Sequence, residues 1–216
     1  LYGEQLTLEE ILKLNDLIDN VDDLTPEAKR FLKRGSSLGS GLGGAQPKCS
    51  TVYDEKQWVA KFSRQYDSWE TCRVEHATMT LARGCGLNVP ETRVISIVDR
   101  DVYLIERFDR TDDLRKHFVS ARTLLGLLEE DNSSGSQDDH EKSYQEIAAQ
   151  FRKYGDPKYL REDLEELYKR MVFNVLCNNY DDHLKNHGFL HNGTGWRISP
   201  LFDVVAQPEG VEPGLK

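Results

Sequence analysis

Acidic and amide side chains crowd into one short stretch of the sequence, where they could hold a metal ion and activate a hydroxyl group. Residues 178–186 (NNYDDHLKN) follow an apolar segment that favours a helix, and they include Asp181 and Asn186. Asp203 stands further on among apolar residues, where a carboxylate is costly to desolvate unless it is paired or holds a cation. Carboxylate and amide oxygens, together with substrate phosphates, are ligands that Mg²⁺ takes in proteins. The sequence therefore predicts a loop with an acid and an amide, and a second acid delivered beside them.

The elements around this loop explain how Asp203 could return to it. Two possible strands, 188–191 and 195–199, follow the loop. Asn192-Gly193 lies between them and suits a tight hairpin turn, because both residues tolerate positive φ. Such a hairpin would bring the segment that carries Asp203 back beside the loop.

The same residues carry a family resemblance. Segments 181–186 (DDHLKN) and 199–205 (SPLFDVV) resemble the catalytic and metal-binding segments of the HipA-like serine/threonine kinases, which are bacterial kinase toxins and their relatives. The resemblance implies that Asp181 is the catalytic base and that Asn186 and Asp203 bind Mg²⁺.

The remaining polar residues of the loop have lesser expected roles. Lys185 could contact the γ-phosphate of ATP, and His183 is expected to brace the loop close to the nucleotide. Both are counted among the candidate cofactor-binding residues. Asp182 is expected to be a neighbour without direct chemistry.

A glycine-rich stretch, 35–48, precedes a predicted strand. Gly39, Gly41 and Gly44 fit the pattern G-x-G-x-x-G, which lets backbone amides approach phosphate oxygens but is weak evidence taken alone. A dinucleotide-binding fold would need a strand before the glycines and a helix after them, and a Walker A loop would need Gly-Lys-Ser/Thr. Neither context is present. The stretch therefore favours a loop that covers ATP phosphates, as in protein kinases, and a flexible linker is the alternative.

This stretch resembles the S-x-G-G-A-x-P-K loop of the HipA-like kinases, with Gly41 at the position of the serine. The resemblance implies that the nucleotide phosphates are held by Gly41, Gly43, Gly44, Ala45 and Lys48. Glycine takes the place of the serine that the family autophosphorylates. Phosphorylation of this loop is therefore only a hypothesis, for which the nearby candidates are Ser36, Ser37 and Ser40.

Lys61 lies in an apolar strand pattern (VAKF), where an ammonium group needs a phosphate or a carboxylate as partner. It is similar to the strand lysine of kinases, and Glu75 on a predicted helix is its natural carboxylate partner. The alternative is an edge-strand lysine that faces water. In the family the segment ERFDR, which begins at Glu106, joins two lobes. The resemblance implies that backbone from Glu106 to Phe108 contacts adenine.

Composition limits the classes of function. The chain has 216 residues and a net charge of −9, which argues against a protein that binds nucleic acid by itself, because neutralising phosphates needs clustered Lys and Arg. Its four cysteines show no C-x-x-C spacing, which favours reduced thiols in a cytosol. No apolar run is long enough to cross a membrane, and no signal-peptide pattern opens the chain. We expect a cytoplasmic, bacterial protein without a membrane partner.

The order of predicted elements gives the fold class. Strands are predicted at 49–53, 57–62, 92–98 and 102–108, and helices at 7–19, 25–35, 68–84, 120–129, 142–154 and 159–177, with an acidic loop at 129–140. This order predicts an α+β fold. The resemblance implies two lobes similar to those of protein and phosphoinositide kinases, a β-rich N-lobe (1–108) and a helical C-lobe (109–216). HipA-like kinases usually continue with a further helical region, so the C-terminal part is expected to be missing.

The main hypothesis is an ATP- and Mg²⁺-dependent serine/threonine protein kinase. The resemblance implies a toxin-like kinase, with an aminoacyl-tRNA synthetase as a possible protein substrate and a DNA-binding antitoxin as a possible partner. One alternative is a catalytically silent nucleotide-binding or interaction module. Another is a zinc hydrolase that uses His183, His187 and His191, which recur every four residues. Gly188 disfavours the continuous helix that this zinc site would need.

Overall fold

The computed structural model describes residues 8–10, 13, 48–63, 70–97, 100–111, 114–126 and 144–207. Residues 8–10 and 13 are helical, and the rest of the two helices predicted at 7–19 and 25–35 lies outside the described residues. The predicted acidic loop also lies outside them. The same holds for candidate residues of the glycine-rich stretch, namely Ser36, Ser37, Ser40, Gly41, Gly43, Gly44 and Ala45.

The described residues fall into two compact units. The strand unit is the described part of Leu1–Ala77 and of Glu91–Arg107, and the helical unit is Thr78–Pro90 with the described part of Phe108–Lys216. The predicted lobes, in contrast, place 78–90 in the first lobe. Two hydrogen bonds of the Asn88 backbone tie this segment into the helical unit: Leu201 N donates to Asn88 O over 2.7 Å, and Asn88 N donates to the side-chain Oε1 of Glu166 over 3.1 Å.

Antiparallel strands form the sheet of the strand unit, in the order β1-β2-β4-β3. The elements are β1 (Lys48–Tyr53), β2 (Lys56–Phe62), α1 (Thr71–Gly84), β3 (Thr92–Ile97) and β4 (Arg100–Glu106). Side chains alternate between the two faces of a sheet, so Trp58, Ala60 and Phe62 share one face. That face is the core, which also includes Cys49, Val102 and Leu104. Lys61 therefore points to the opposite face.

The turn between β1 and β2 has two residues in the left-handed region. Asp54 has φ of 53° and Glu55 has φ of 61°. Positive φ at both central residues is the geometry that matches the right-handed twist of paired strands. The strands predicted at 49–53 and 57–62 leave three residues for this turn, and the observed turn is one residue shorter because Lys56 already belongs to β2.

The helical unit combines helices with short strands. Its elements are β5 (Arg110–Thr111), β6 (Leu114–Arg115), β7 (Phe118–Ser120), α2 (Ala121–Leu124), α3 (Tyr144–Tyr154), α4 (Leu160–Leu176), a 3₁₀ turn (Leu184–Asn186), β8 (Gly188–His191) and β9 (Trp196–Ile198). Strands β7, β8 and β9 form an antiparallel sheet. Its core includes Ala121, Ile147, Phe151, Leu167, Leu184, Phe189 and Ile198. No helix within the described ranges combines the length and the apolar character that a membrane span requires.

Helix α2 is shorter than the helix predicted at 120–129. Ser120 caps its start by accepting a hydrogen bond from Thr123 N, and the helix ends at Leu124. Gly126 has φ of 75°, a left-handed conformation that ends helices and that glycine adopts without steric cost. The apolar pattern at 120–129 correctly predicts a helix, and the conformation of Gly126 explains why the helix is short.

The predicted hairpin is present as β8 and β9, with a longer loop than predicted. His191 pairs with Trp196, so four residues connect the strands, whereas the predicted strands leave three between them. Asn192 organises this loop, because its Oδ1 accepts hydrogen bonds from Thr194 N and Gly195 N. The asparagine side chain thereby stabilises a wider turn than the Asn-Gly pair alone predicts.

Gly195 lets this loop approach the chain that leaves α3. A Cβ at Gly195 would lie 2.6 Å from Asp156 N and 2.9 Å from Gly155 C, both of which are backbone atoms. Asp156 N also donates a hydrogen bond to Trp196 O over 3.1 Å. Only a residue without a side chain permits this contact.

We expect the substitution Gly195→Ala to lower the free energy of unfolding by about 1–3 kcal/mol, because the added methyl group forces backbone to shift. Gly84→Ala is the matched control, since a Cβ at Gly84 meets nothing within 4 Å. Urea unfolding followed by circular dichroism measures both variants. Equal stabilities of the two variants would contradict the close approach at Gly195.

Candidate functional site

The polar loop begins where α4 ends. Cys177 N donates to Phe173 O over 2.9 Å, and Asn178 then adopts φ of 53°, which stops the helix. Asn179 turns back onto α4, because its backbone N donates to Asn174 O over 2.9 Å and its Nδ2 donates to Asn174 Oδ1 over 3.2 Å. The start of the loop is thus fixed to the last turns of α4.

Asp182 is the best-anchored residue of the loop. Tyr144 donates its hydroxyl proton to Asp182 Oδ2 over 2.6 Å, and His187 Nε2 lies 2.9 Å from Asp182 Oδ1. Burial raises the pKa of Asp182, but the hydrogen bonds from His187, Tyr144 and Asn174 outweigh burial, so its pKa lies below the ordinary value. Asp182 is therefore held as a carboxylate inside the helical unit.

Tyr144 is itself held by α4. Asn174 Nδ2 donates to Tyr144 Oη over 3.0 Å, so the hydroxyl accepts one hydrogen bond and donates another. Burial and the nearby carboxylate of Asp182 raise the pKa of Tyr144, which keeps the hydroxyl protonated. The rings of Tyr144 and His187 also meet edge to face, with centroids 5.1 Å apart.

Asp181 and Asn186 are joined directly. Asn186 Nδ2 donates to the backbone oxygen of Asp181 over 2.8 Å, and Asn186 N donates to His183 O over 2.9 Å in the 3₁₀ turn. Asn186 is only 6% exposed, whereas Asp181 is exposed. Because the amide nitrogen of Asn186 is used by Asp181, the amide oxygen is the end of the side chain left for a cation.

Asp203 occupies a strained backbone position inside a well-anchored segment. Its φ is 61°, which is uncommon for a residue with a side chain and is often found at functional sites. On one side the ring of Phe202 packs against Phe108 and Phe118, with centroid distances of 5.6 and 6.3 Å. On the other side Val204 is 2% exposed. These neighbours fix the backbone that carries the carboxylate of Asp203.

Strand pairing relates this segment to the loop. Ser199 N donates to Gly188 O over 2.9 Å. Asn186 lies two residues before this pair, and Asp203 lies four residues after it. A Cβ at Gly188 would lie 2.4 Å from the Phe118 ring and 2.7 Å from Ser199 Oγ, so glycine is required here. The convergence of Asp181, Asn186 and Asp203 on a single ion stays a prediction.

A buried guanidinium group holds the same segment from α4. Arg170 is fully buried, and its Nη2 donates to Ser199 O over 2.6 Å. The same side chain donates to Glu166 Oε1 through Nε and Nη2, over 3.0 and 2.9 Å. Burial lowers the pKa of Arg170, and the carboxylate of Glu166 opposes this change.

The strand unit contains the expected lysine pair. Lys61 Nζ donates to Glu75 Oε1 over 2.5 Å, with Lys61 4% and Glu75 0% exposed. Lys61 also lies over the Tyr103 ring, 5.7 Å from its centroid. The alternative of an edge-strand lysine facing water is wrong, because β2 lies between β1 and β4 and the side chain is buried.

Other predicted nucleotide contacts stay predictions, with one restriction. Lys48 is half-buried and faces Lys61 in the register of β1 and β2. The amide N–H groups of Glu106 and Arg107 donate to Glu91 O and Gln57 O, over 2.9 and 2.8 Å. Any adenine contact in this segment must therefore use other backbone groups.

His183 and Lys185 are both exposed. The bracing expected of His183 is performed by His187, because the 3₁₀ turn directs the later histidine towards Asp182. The continuous helix needed for zinc binding by His183, His187 and His191 does not form, since His191 lies in β8. Within the described ranges, no cluster of three His, Cys, Asp or Glu side chains is suited to a metal ion.

Sequence reasoning missed the residues that support the loop. These are Tyr144, Asn174, Arg170 and His187. His187 was considered only as a zinc ligand. Tyr144 lies 38 residues before its partner, and no local pattern joins them. Asn174 within the apolar last turns of α4 is the available signal, because buried polar groups need partners.

Comparisons with known proteins find a matching family and similar relatives. Residues 40–214 match the family described as HipA-like C-terminal domain. The serine/threonine-protein kinase toxin HipA of Shewanella oneidensis is 24% identical over 220 residues, which cover 90% of this chain and 49% of that relative. The chain spans about half the length of the curated relatives it matches.

Solved structures give the same fold. The Shewanella oneidensis toxin–antitoxin structure of HipA, HipB and operator DNA has a TM-score of 0.66 at 21% identity, covering 95% of this chain and 53% of that chain. The Helicobacter pylori proinflammatory kinase CtkA has a TM-score of 0.54 at 22% identity, covering 72% of this chain and 53% of that chain. At these identities the likeness concerns the fold alone. It confirms the predicted α+β, kinase-like fold class.

The anchoring of Asp182 leads to a prediction about acid stability. A carboxylate with a lowered folded pKa contributes stability above its unfolded pKa of about 3.9, and this stability is lost as the pH falls through the folded pKa. We therefore expect Asp182→Asn to be less stable than the wild type at pH 6. The difference should shrink as the pH falls below about 3.9.

Urea unfolding between pH 6 and pH 2.5 measures this difference. Glu165→Gln removes an exposed carboxylate of α4 and controls for the loss of one negative charge. A stability difference between wild type and Asp182→Asn that stays constant over this pH range would contradict the assigned role of the carboxylate.

Proposed function

Because the chain belongs to the family of HipA-like C-terminal domains, we propose that it transfers the terminal phosphoryl group of ATP to a serine or threonine hydroxyl of a protein. Phosphoryl transfer depends mainly on positioning and on neutralising charge. The observation that carries the proposal is the hydrogen bond from the buried amide of Asn186 to the backbone oxygen of Asp181, which ties an exposed acid to a buried amide. A site that only binds nucleotide has no need of the exposed acid.

Asp181 is the proposed catalytic base. It would accept a hydrogen bond from the attacking hydroxyl, orient it and take up its proton as the oxygen–phosphorus bond forms. The exposure of Asp181 supports this role, because a protein hydroxyl must reach it from outside. Asp182 cannot serve in its place, since both of its oxygens already accept hydrogen bonds.

Asn186 and Asp203 are the proposed magnesium ligands. Their side chains offer an amide oxygen and a carboxylate, which fit a hard cation that keeps phosphate oxygens and water as its other ligands. When bound, Mg²⁺ would neutralise charge on the phosphates of ATP.

The strand unit supplies the remaining proposed nucleotide contacts. Lys61 would pair with the α- and β-phosphates, and its contact with Glu75 keeps the ammonium group oriented. Lys48 and the glycine-rich residues before it would hold phosphate oxygens, and Lys185 would contact the γ-phosphate. Backbone between Glu106 and Phe108 would contact adenine.

The protein substrate and the partner are also proposals. An aminoacyl-tRNA synthetase is the substrate class that the family resemblance implies. The similar Shewanella structure contains HipA, HipB and operator DNA. We propose a DNA-binding antitoxin as partner of this chain, and the net charge of −9 supports an indirect rather than a direct association with DNA.

We expect Asp181→Asn to lower the rate of phosphoryl transfer by at least ~100-fold while ATP binding is preserved, because the change removes only the base. The assay is incubation with γ-labelled ATP and a bacterial lysate, followed by identification of labelled proteins. Glu165→Gln is the matched control and should label the same proteins as the wild type. Equal labelling by Asp181→Asn would refute the role of Asp181, and ATP binding without labelling by any variant would support a silent binding module.

We expect Asp203→Asn to raise the Mg²⁺ concentration for half-maximal transfer by at least ~10-fold, because a charged metal ligand is lost. Asparagine tolerates the left-handed backbone of Asp203, so the fold should be preserved. Transfer rates measured over a Mg²⁺ titration test this expectation. An unchanged half-maximal concentration would remove Asp203 from the proposed metal site.

A further inference from the structure

The residues that directly follow the proposed base and the proposed metal ligand bind each other. Asp182 follows Asp181, and His187 follows Asn186. The hydrogen bond between Asp182 Oδ1 and His187 Nε2 therefore runs beside the hydrogen bond between Asn186 Nδ2 and Asp181 O. The two bonds close the loop twice, over 2.9 and 2.8 Å.

Burial and a further hydrogen bond limit the movement of His187, which binds Asp182. His187 is 3% exposed, so its ring cannot rotate freely into solvent. Its backbone oxygen also accepts a hydrogen bond from Ala121 N over 2.7 Å. The second oxygen of Asp182 is held by Tyr144, which α4 holds through Asn174. The Asp182 carboxylate is thus fixed from both sides by elements outside the loop.

We propose that the hydrogen-bonded group Tyr144–Asp182–His187 sets the spacing between Asp181 and Asn186, and that this spacing determines how strongly Mg²⁺ promotes nucleotide binding. This inference rests on the proposed function, since it assumes that Asn186 binds the metal ion. Tyr144, Asp182 and His187 act here as positioning residues, because none of them is assigned a contact with nucleotide or metal. Outer partners of this kind typically change metal affinity by roughly 10–100-fold when they are removed.

The different surroundings of the adjacent acids Asp181 and Asp182 lead to different proposed roles. The carboxylate of Asp182 is taken by Tyr144 and His187, which leaves Asp181 as the acid that can meet a substrate. Removal of the Tyr144 hydroxyl alone would take one hydrogen bond away from Asp182 and leave the amide of Asn174 without this acceptor. The loop would keep its sequence and its metal ligands but lose part of the support for their spacing.

The test measures binding of AMP-PNP, a non-hydrolysable ATP analogue, by calorimetry in EDTA and at saturating Mg²⁺. The dissociation constant in EDTA divided by the dissociation constant at saturating Mg²⁺ reports how strongly the metal promotes binding. The variants are Asp182→Ala, Asp182→Asn and Tyr144→Phe, and Tyr168→Phe on α4 is the matched control because its side chain is 64% exposed. Urea unfolding establishes that each variant is folded under the assay conditions.

We expect Asp182→Ala to lower this ratio by roughly 10-fold or more while AMP-PNP affinity in EDTA is unchanged. Tyr144→Phe should lower the ratio by a smaller factor, and Asp182→Asn should recover part of the loss because its oxygen can still accept from Tyr144. Tyr168→Phe should match the wild type.

The outcomes separate this inference from the proposed function. A wild-type chain whose AMP-PNP binding does not respond to Mg²⁺ overturns both. A wild-type response that Asp182→Ala and Tyr144→Phe preserve in full, at lower stability, overturns the positioning role and leaves the proposed function standing. A merely structural group would lower the amount of folded protein but not the ratio measured on the folded part.

Discussion

The half-buried carboxylate of Asp182 is the constraint around which the candidate site is arranged. A charge taken out of water must be matched by hydrogen bonds or by an opposite charge. Tyr144 and His187 supply these contacts from α3 and from the chain that enters β8. Satisfying one carboxylate therefore ties two distant parts of the helical unit to the loop, and it leaves the preceding Asp181 exposed.

A buried charge also needs partners near the segment that carries Asp203. Arg170 is fully buried on α4, and Glu166 and the backbone oxygen of Ser199 accept hydrogen bonds from its Nε and Nη2. The segment that follows Ser199 carries Asp203 at positive φ, a conformation that persists only where the surroundings impose it. One helix thus anchors the loop through Asn174 and the Asp203 segment through Arg170.

The strand unit also contains a buried charge with a partner, namely Lys61 with Glu75. Period-two alternation puts Lys61 on the face opposite the apolar core, and Glu75 on α1 meets it there. A buried pair of this kind gives little net stability, because desolvation offsets the attraction. In the proposed function, this pair orients the ammonium group of Lys61 for phosphate.

The strands and the main helices can be predicted from the sequence alone, because they follow from the periodicity of apolar residues. The need of Lys61 for a carboxylate partner can also be predicted, because a charge is costly to bury without one. Helix and turn ends were less certain, as the Gly126 and Asn192 positions illustrate. Only the tertiary structure decided that His187 rather than His183 supports the loop, and that Tyr144 completes the support. Side-chain direction in a 3₁₀ turn and a contact across 38 residues leave no periodic trace in the sequence, because both arise when separate elements pack together.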